Sequence, residues 1–342
     1  MKLITFAVPC YNSAAYMEKC VETLLTGGED VEIILVNDGS KDATGEIADR
    51  YAKQYPGIVK AIHQPNGGHG EGVNQGLRNA TGLYYKVVDS DDWLDVKALA
   101  ELIKAVKVHT EQKKEPDLYV FNYVYEHVAE GKSLPMKYTN VFPERKIIGW
   151  DAIKRFKMSQ YLLMHAVMYR TQLLRDCGLE LPKHTFYVDN IFVYVPMPLV
   201  KSIYYMDLDL YRYYIGREGQ SVNEKIMIGR VDQQVRITKI LWESHKLENL
   251  KKNNKKLARY MGRYLAMMMT ISSVFLILTK DPVRYSQRSQ LWKALKEADP
   301  DMYRRIRYGN FVGCGSSLPG AAGRWIALAG YRLAQKLYRF NQ

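Results

Sequence analysis

The chain has 342 residues, 47% of them hydrophobic and a quarter charged, a balance that fits one large folded domain with an appendage, or two domains, and excludes a disordered chain. Its four cysteines, Cys10, Cys20, Cys177 and Cys314, are scattered without CxxC spacing, which argues against a zinc site or a disulfide framework. The net charge is +13, but residues from Leu250 on hold 18 Lys and Arg against 4 Asp and Glu, whereas those before it hold 31 against 32. The excess sits wholly in the tail, as suits a segment that meets an anionic surface.

The opening residues MKLITFAVPCYN carry no secretory pattern, so a reducing cytoplasmic setting is expected. Their apolar run predicts a buried strand. Ser13 is placed to cap the helix that follows, with Tyr16, Cys20, Val21, Leu24 and Leu25 on one face and Gly27-Gly28 at its end. VEIILVND is a second strand and DATGEIADRYAKQY a second helix; GIVKAIHQ, EGVNQGLRNA and LYYKVVD continue as strand, helix, strand. This alternation predicts parallel βαβ units and a mostly parallel, doubly wound α/β sheet, with ligands beyond the carboxyl ends of its strands. Asn12, Asp38, Asn66 and Asp89 all fall at or just past those ends. Next come a helix in LDVKALAELIKAV, a strand in PDLYVFNYVYEH, and helices in GWDAIKRFKM and RTQLLRDCGL. HTFYVDNIFVYVPM sets Asp189 inside an aromatic, apolar run, and IYYMDLDLYRYYIGREGQSVN is strand and loop. From Lys251 the chain turns to basic helices, with a Gly-rich break at GNFVGCGSSLPGAAG.

The fourth strand ends in VVDSDDW, with Asp89, Asp91 and Asp92 within four positions. Asp91 or Asp92 could serve as the cap of the next helix. The company of Asp38 and Asn66 on the same rim favours a cation instead, since clustered carboxylates raise one another's pKa unless a positive charge compensates. Oxygen ligands suit Mg2+ or Mn2+, which bridge to substrate phosphates. The stretch NGGHGEGVNQG lacks the third glycine of a dinucleotide fingerprint, because Val73 stands there, and it follows the third strand rather than the first. Its glycines serve a tight turn, or that turn together with an approach of its amides and Asn66 to a nucleotide-sugar.

The order VPCYN (8–12), VNDGSKD (36–42), NGGHGEGVNQG (66–76) and VVDSDDW (87–93), followed by FYVDNIFVY and YRYYIGREGQSVN, resembles the family 2 glycosyltransferases. That resemblance implies a GT-A fold over roughly residues 1–225, with a basic helical C-terminal extension. It divides the chain into a nucleotide-sugar-binding half (1–115), an acceptor-binding half (116–235) and a helical region (236–342) that attaches to a membrane surface. By position in the motifs, Pro9, Tyr11 and Asn12 would frame a uracil pocket and Asp38 would bond the nucleoside. Asn66 and Asn74 would help form the donor site, Asp89 would contact ribose or sugar and share the metal, and Asp91 would hold Mg2+ or Mn2+ on the diphosphate. Asp189 would be the base that deprotonates the acceptor hydroxyl, and Arg217 and Ser221 would cover or meet the diphosphate. The implied reaction is inverting transfer of a hexosyl or N-acetylhexosaminyl unit from a nucleotide-sugar, a UDP-sugar by expectation, to a glycan or lipid-linked acceptor of the cell envelope. Two departures stand out. Val73 replaces the family's frequent arginine, and Val188 stands where a glutamate usually precedes the base. His69, His165 and His184 are expected to be structural polar residues rather than acceptor ligands, and Lys86 is unexplained unless it reaches a rim carboxylate.

A nucleotidyltransferase is the alternative enzyme, but VPCYNSAAY is not the Gly-rich basic loop it would want after the first strand. An inactive sugar-nucleotide-binding scaffold is the non-enzyme alternative. In the tail, LAMMMTISSVFLIL (265–278) is 14 uncharged residues, short of the ~18–20 that span a bilayer, and is expected to be a buried or interfacial helix. RWIALAGYRLAQKLYRFN (324–341) separates Ile326, Leu333, Leu337 and Phe340 from Arg324, Arg332, Lys336 and Arg339. It is expected either to anchor the protein peripherally on the anionic inner face of the cell membrane or to pack its apolar side on the body. No nucleic-acid-binding motif accompanies the charge.

Overall fold

In the computed structural model, which describes residues 1–216, 224–309 and 311–338, the chain divides into two units. One is built from residues up to 157 and from 162 to the end of the last strand, the other from 158–161 and the helices from Glu224 on.

In the first unit β1 (Ile4–Cys10), α1 (Met17–Leu25), β2 (Val31–Asn37), α2 (Thr44–Gln54), β3 (Val59–His63), α3 (His69–Asn79) and β4 (Tyr84–Val87) alternate as the sequence predicts. β5 (Trp93–Leu94), α4 (Val96–Glu111), β6 (Leu118–His127), β7 (Lys132–Met136), β8 (Ile147–Ile148), β9 (Val167–Arg170), α5 (Thr171–Asp176), α6 (Asp189–Tyr194) and β10 (Ile203–Ile215) complete it. The sheet runs β3-β2-β1-β4-β9-β6-β10-β5, with β7 on β6 and β8 on β10. β3, β2, β1 and β4 are mutually parallel, as are β6 and β10. β9 is antiparallel to both its neighbours and joins the two parallel sets. β1 is buried at every position, which a strand covered on both faces requires. The boundary expected at 115/116 therefore falls inside one continuous sheet.

Three local expectations are corrected. Ser13 does not cap α1 with its side chain: the helix starts at Met17, and the Ser13 hydroxyl pairs with that of Ser90 at 2.8 Å. The cap of α4 is Asp95, which accepts the amides of Lys97 and Ala98, and neither Asp91 nor Asp92 has that role. The helix expected over GWDAIKRFKM is only a 3-10 turn at Trp150–Ala152. Trp150, Ile153 and Phe156 are buried one by one, so a loop anchored at every third residue imitates helical spacing.

The second unit is helical: α7 (Glu224–Gly229), α8 (Val231–Ser244), α9 (Leu247–Asn253), α10 (Lys255–Leu278), α11 (Pro282–Ala298), α12 (Pro300–Gly309), α13 (Phe311–Ser317) and α14 (Gly320–Tyr338). It takes in residues before the expected start at 236, because α8 is one uninterrupted helix whose Thr238 hydroxyl meets that of Ser272 on α10 at 2.8 Å. α10 extends well beyond the 14-residue uncharged run to 24 residues, long and apolar enough to cross a membrane by length and composition alone, and 72% of its most apolar stretch is buried. It is the core helix of this unit.

Candidate active site

The rim at the carboxyl ends of the parallel strands is tied together by side chains before any ligand arrives. Pro9 is buried at the end of β1, Tyr11 is half-exposed, and Asn12 takes a left-handed backbone (φ 49°) that asparagine tolerates. The Asn12 side-chain oxygen Oδ1 accepts the Lys41 amide at 2.9 Å. Asp38, just past β2, is buried and accepts the amides of Gly67 (2.7 Å) and Gly68 (2.8 Å) and the side-chain amide of Gln64 (2.6 Å). Asn66 donates to the Asp38 carbonyl at 2.9 Å. The structure thus gives Asp38 the task of shaping the loop into α3.

The aspartates after β4 have separate partners. Asp89 pairs with His69 Nε2 at 2.8 Å, Asp92 accepts the Tyr211 phenol at 2.6 Å and the Tyr214 amide at 2.8 Å, and Asp95 receives Arg212 at 2.9 Å. Burial and the charges of Asp89 and Asp91 push the Asp92 carboxyl well above the usual range, against the pull of its two donors. Asp92 bolts the aspartate loop to β10. Asp91 is only partly buried.

α3 positions the opposite wall. Its glycines are there for close approach: a Cβ on Gly72 would come within 2.9 Å of Pro9 Cβ, one on Gly76 within 2.5 Å of Ala7 Cβ, and one on Gly70 within 2.9 Å of the Pro182 carbonyl. The first two seat α3 on β1, and the third seats the segment leading to Asp189 on α3. Asn74 is buried and bridges both backbone groups of Leu181, donating to its carbonyl (2.8 Å) and accepting its amide (2.9 Å). This clamp engages both ends of the Asn74 side-chain amide, for which a donor contact was expected. The His184 amide donates to the Gly67 carbonyl at 2.8 Å, and His184 and Tyr187 both have positive φ (48° and 65°). Each costs on the order of 1 kcal/mol, and such backbone persists only where its surroundings hold it.

Asp189 opens α6 at the end of this held segment. Burial lifts its carboxyl to about 6, against the opposing pull of His69 and with a further push from Asp89. For His69 burial acts downward, but the hydrogen bond and charge of Asp89, with Asp189 and Asp91 nearby, hold it above the usual histidine value. His69 therefore lies within electrostatic reach of Asp89, Asp91 and Asp189. Nothing in the spacing of the sequence marked that placement.

Asp89, Asp92 and His165 offer ligand atoms within 4.8 Å of one another. Asp91, the expected metal ligand, is not in this group. His165 lies between the rings of Tyr211 and Tyr213, each at 4.7 Å. Its Nδ1 is buried with no hydrogen-bond partner, and burial holds the ring neutral, with a value near 4. A neutral imidazole and carboxylate oxygens fit a divalent cation of the Mn2+ type. Both Asp92 oxygens already accept protein donors, so Asp89 and His165 have the greater spare capacity. Lys86 is fully buried and lowered to about 7 by burial; it donates to the carbonyls of His165 (2.8 Å) and Val167 (3.3 Å) rather than to a rim carboxylate. Arg217 and Ser221 lie outside the described residues.

Residues 5–127 match the sequence pattern of glycosyl transferase family 2. The chain is 27% identical over 263 residues to EpsH of Bacillus subtilis, covering 73% of this chain and 72% of EpsH. It is 30% identical over 224 residues to the uncharacterized glycosyltransferase MG025 homologue of Mycoplasma pneumoniae, covering 64% of this chain and 70% of that protein. The chain belongs to glycosyl transferase family 2. Other family relatives are longer: with the minor teichoic acid biosynthesis protein GgaB of B. subtilis the likeness is 28% over 161 residues, 46% of this chain and 17% of GgaB. Among solved structures, S. aureus TarS 1–349 in complex with UDP-GlcNAc superposes with a TM-score of 0.68 at 19% identity, covering 99% of this chain and 92% of that one. The fold is accordingly that of the GT-A glycosyltransferases.

Proposed function

We propose that this family 2 glycosyltransferase moves a sugar from a UDP-sugar to a hydroxyl of a glycan or lipid-linked acceptor in building a cell-surface polymer, at the inner face of the cell membrane. The observation that carries the mechanism is Asp189, whose carboxyl is held near 6 beside the His69–Asp89 pair. A base of that strength is half-ionised near pH 6 and mostly ionised at neutral pH, and takes a proton from a hydroxyl as the hydroxyl attacks. The acceptor oxygen forms its bond to the anomeric carbon while the bond from that carbon to the diphosphate oxygen breaks, and the acceptor proton passes to Asp189. A single displacement inverts the anomeric centre. A divalent cation, held by Asp89 and His165 with Asp91 on the same loop as Asp89, would neutralise charge growing on the diphosphate. UDP is the class of nucleotide bound in the TarS complex, and the surface-polymer acceptor accords with the teichoic acid relative.

The test is a donor screen read by nucleoside diphosphate release, with and without chelator. UDP release from one UDP-sugar, lost with chelator and in Asp91→Asn with its fold cooperative, supports this function. Release of pyrophosphate would indicate a nucleotidyltransferase. Binding without turnover on any donor and acceptor would indicate a scaffold.

A further inference from the structure

The last described helix is turned the opposite way from an ordinary surface helix. Among the side chains of α14 up to Lys336, the buried positions are the small or polar residues Gly323, Ala327 and Gln335, whereas Trp325 is 72% exposed, Leu333 59% and Ile326 41%. Its inward contacts include the Tyr331 ring, edge-on to Phe275 at 6.0 Å, and a set of polar ones. Arg332, Tyr331 and Gln335 all bond the Glu224 carboxylate, at 2.8, 2.8 and 3.0 Å, and Arg324 stacks on the Tyr285 ring at 4.4 Å. Two of the basic residues expected to point away from the apolar face thus help fasten the helix to its unit. The alternative in which α14 buries its large apolar side chains is excluded for Trp325, Ile326 and Leu333. These recur at helical spacing with Ala322 and Ala329, which are also exposed, and form one outward stripe.

We infer, resting on the membrane location proposed above, that this stripe is a docking surface for an anionic lipid leaflet and lets α14 lie in the plane of the interface without crossing it. Tryptophan with aliphatic neighbours on an outward helix face is the composition that inserts at the boundary of headgroups and acyl chains. Charge selects lipid over a second copy of the same basic unit: the region from Leu250 on carries 18 Lys and Arg against 4 Asp and Glu, so two copies repel and an anionic leaflet attracts. Lys336 is exposed beside the stripe.

The full chain is sedimented with vesicles of phosphatidylcholine alone and of phosphatidylcholine with phosphatidylglycerol, at low and high salt. The expected result is binding to the anionic vesicles only, weakened by salt. Trp325→Ser with Leu333→Ser should weaken it at least tenfold without moving the melting temperature, because both side chains are exposed. Trp325→Phe should retain most binding while abolishing the part of tryptophan quenching caused by brominated lipid. A wild-type protein that stays in the supernatant with anionic vesicles at low salt overturns the inference. So does a double variant that binds like wild type, or one whose only change is conversion of an oligomer to a monomer.

Discussion

The Tyr211 phenol donates to Asp92 at 2.6 Å and accepts the backbone amide of Asp89 at 3.1 Å, so one β10 side chain fixes both ends of the aspartate loop. Tyr211→Phe leaves a buried carboxyl oxygen and a buried amide without that partner, which should lower stability by about 1–3 kcal/mol. Asp92→Ala should cost a similar amount or more. Because the two residues share a bond, the double variant should cost less than the sum of the singles, by ~1 kcal/mol. Urea unfolding of the four proteins checks this, and simple additivity would deny the coupling.

Asp189→Asn should reduce turnover by about two orders of magnitude or more, with donor affinity little changed. In the wild type, turnover should rise through pH 6 and level off above it, since the proposed base acts as its carboxylate. The stability effect has the opposite sense. A carboxyl raised in the fold favours folding when protonated, so its contribution is complete below the unfolded value and is lost as pH rises through about 6. The Asn variant should therefore be more stable than wild type at pH 8, on the order of 1–2 kcal/mol after allowing for partial exposure, and lose that advantage toward pH 4. Melting curves across this range decide the sign.

Asn74 should act on the rate through Asp189. Asn74→Ala removes both bonds to Leu181, and Gly70→Ala pushes a Cβ against the Pro182 carbonyl. Both should lower kcat several-fold or more, leave the Kd for UDP near wild type, and speed amide exchange over residues 179–190. A rise in UDP Kd with unchanged kcat would return Asn74 to the donor site.

Lys86→Ala should destabilise by about 3 kcal/mol, from the cavity and two unsatisfied carbonyls. Lys86→Met, which fills the space, separates the two terms: if Met is as unstable as Ala, the lost hydrogen bonds dominate. Denaturant midpoints measure both.

The first four strands and their helices were legible because their apolar runs are separated by clear breaks, and the rim positions of Asn12, Asp38, Asn66 and Asp89 followed from chain order. What was not legible depends on pairing between distant segments. β9 is four residues long, and its antiparallel place between β4 and β6 is a tertiary choice that no local pattern encodes. His165 precedes it and lies near Asp89 and Asp92 only because of that insertion. The family resemblance gave Asn74 a place in the donor site, by its position in a Gly-rich motif. Its partner, the Leu181 backbone, leaves no trace in residue type. The same holds for α14, whose segregation of apolar from basic residues was visible while the direction it faces was not.

α3 has glycine at three of its eleven positions, Gly70, Gly72 and Gly76, each costing roughly 1 kcal/mol relative to alanine in a helix interior. Such a segment has little helical preference of its own, and so it orders only when β1 is beneath it and the 181–184 strap is across it. Folding therefore couples the floor under the proposed donor site to the wall that carries Asp189, the proposed base. During refolding neither should gain amide protection ahead of the other, and a lesion in either should melt both together, so a half-assembled centre that binds nucleotide without its base in place should be scarcely populated.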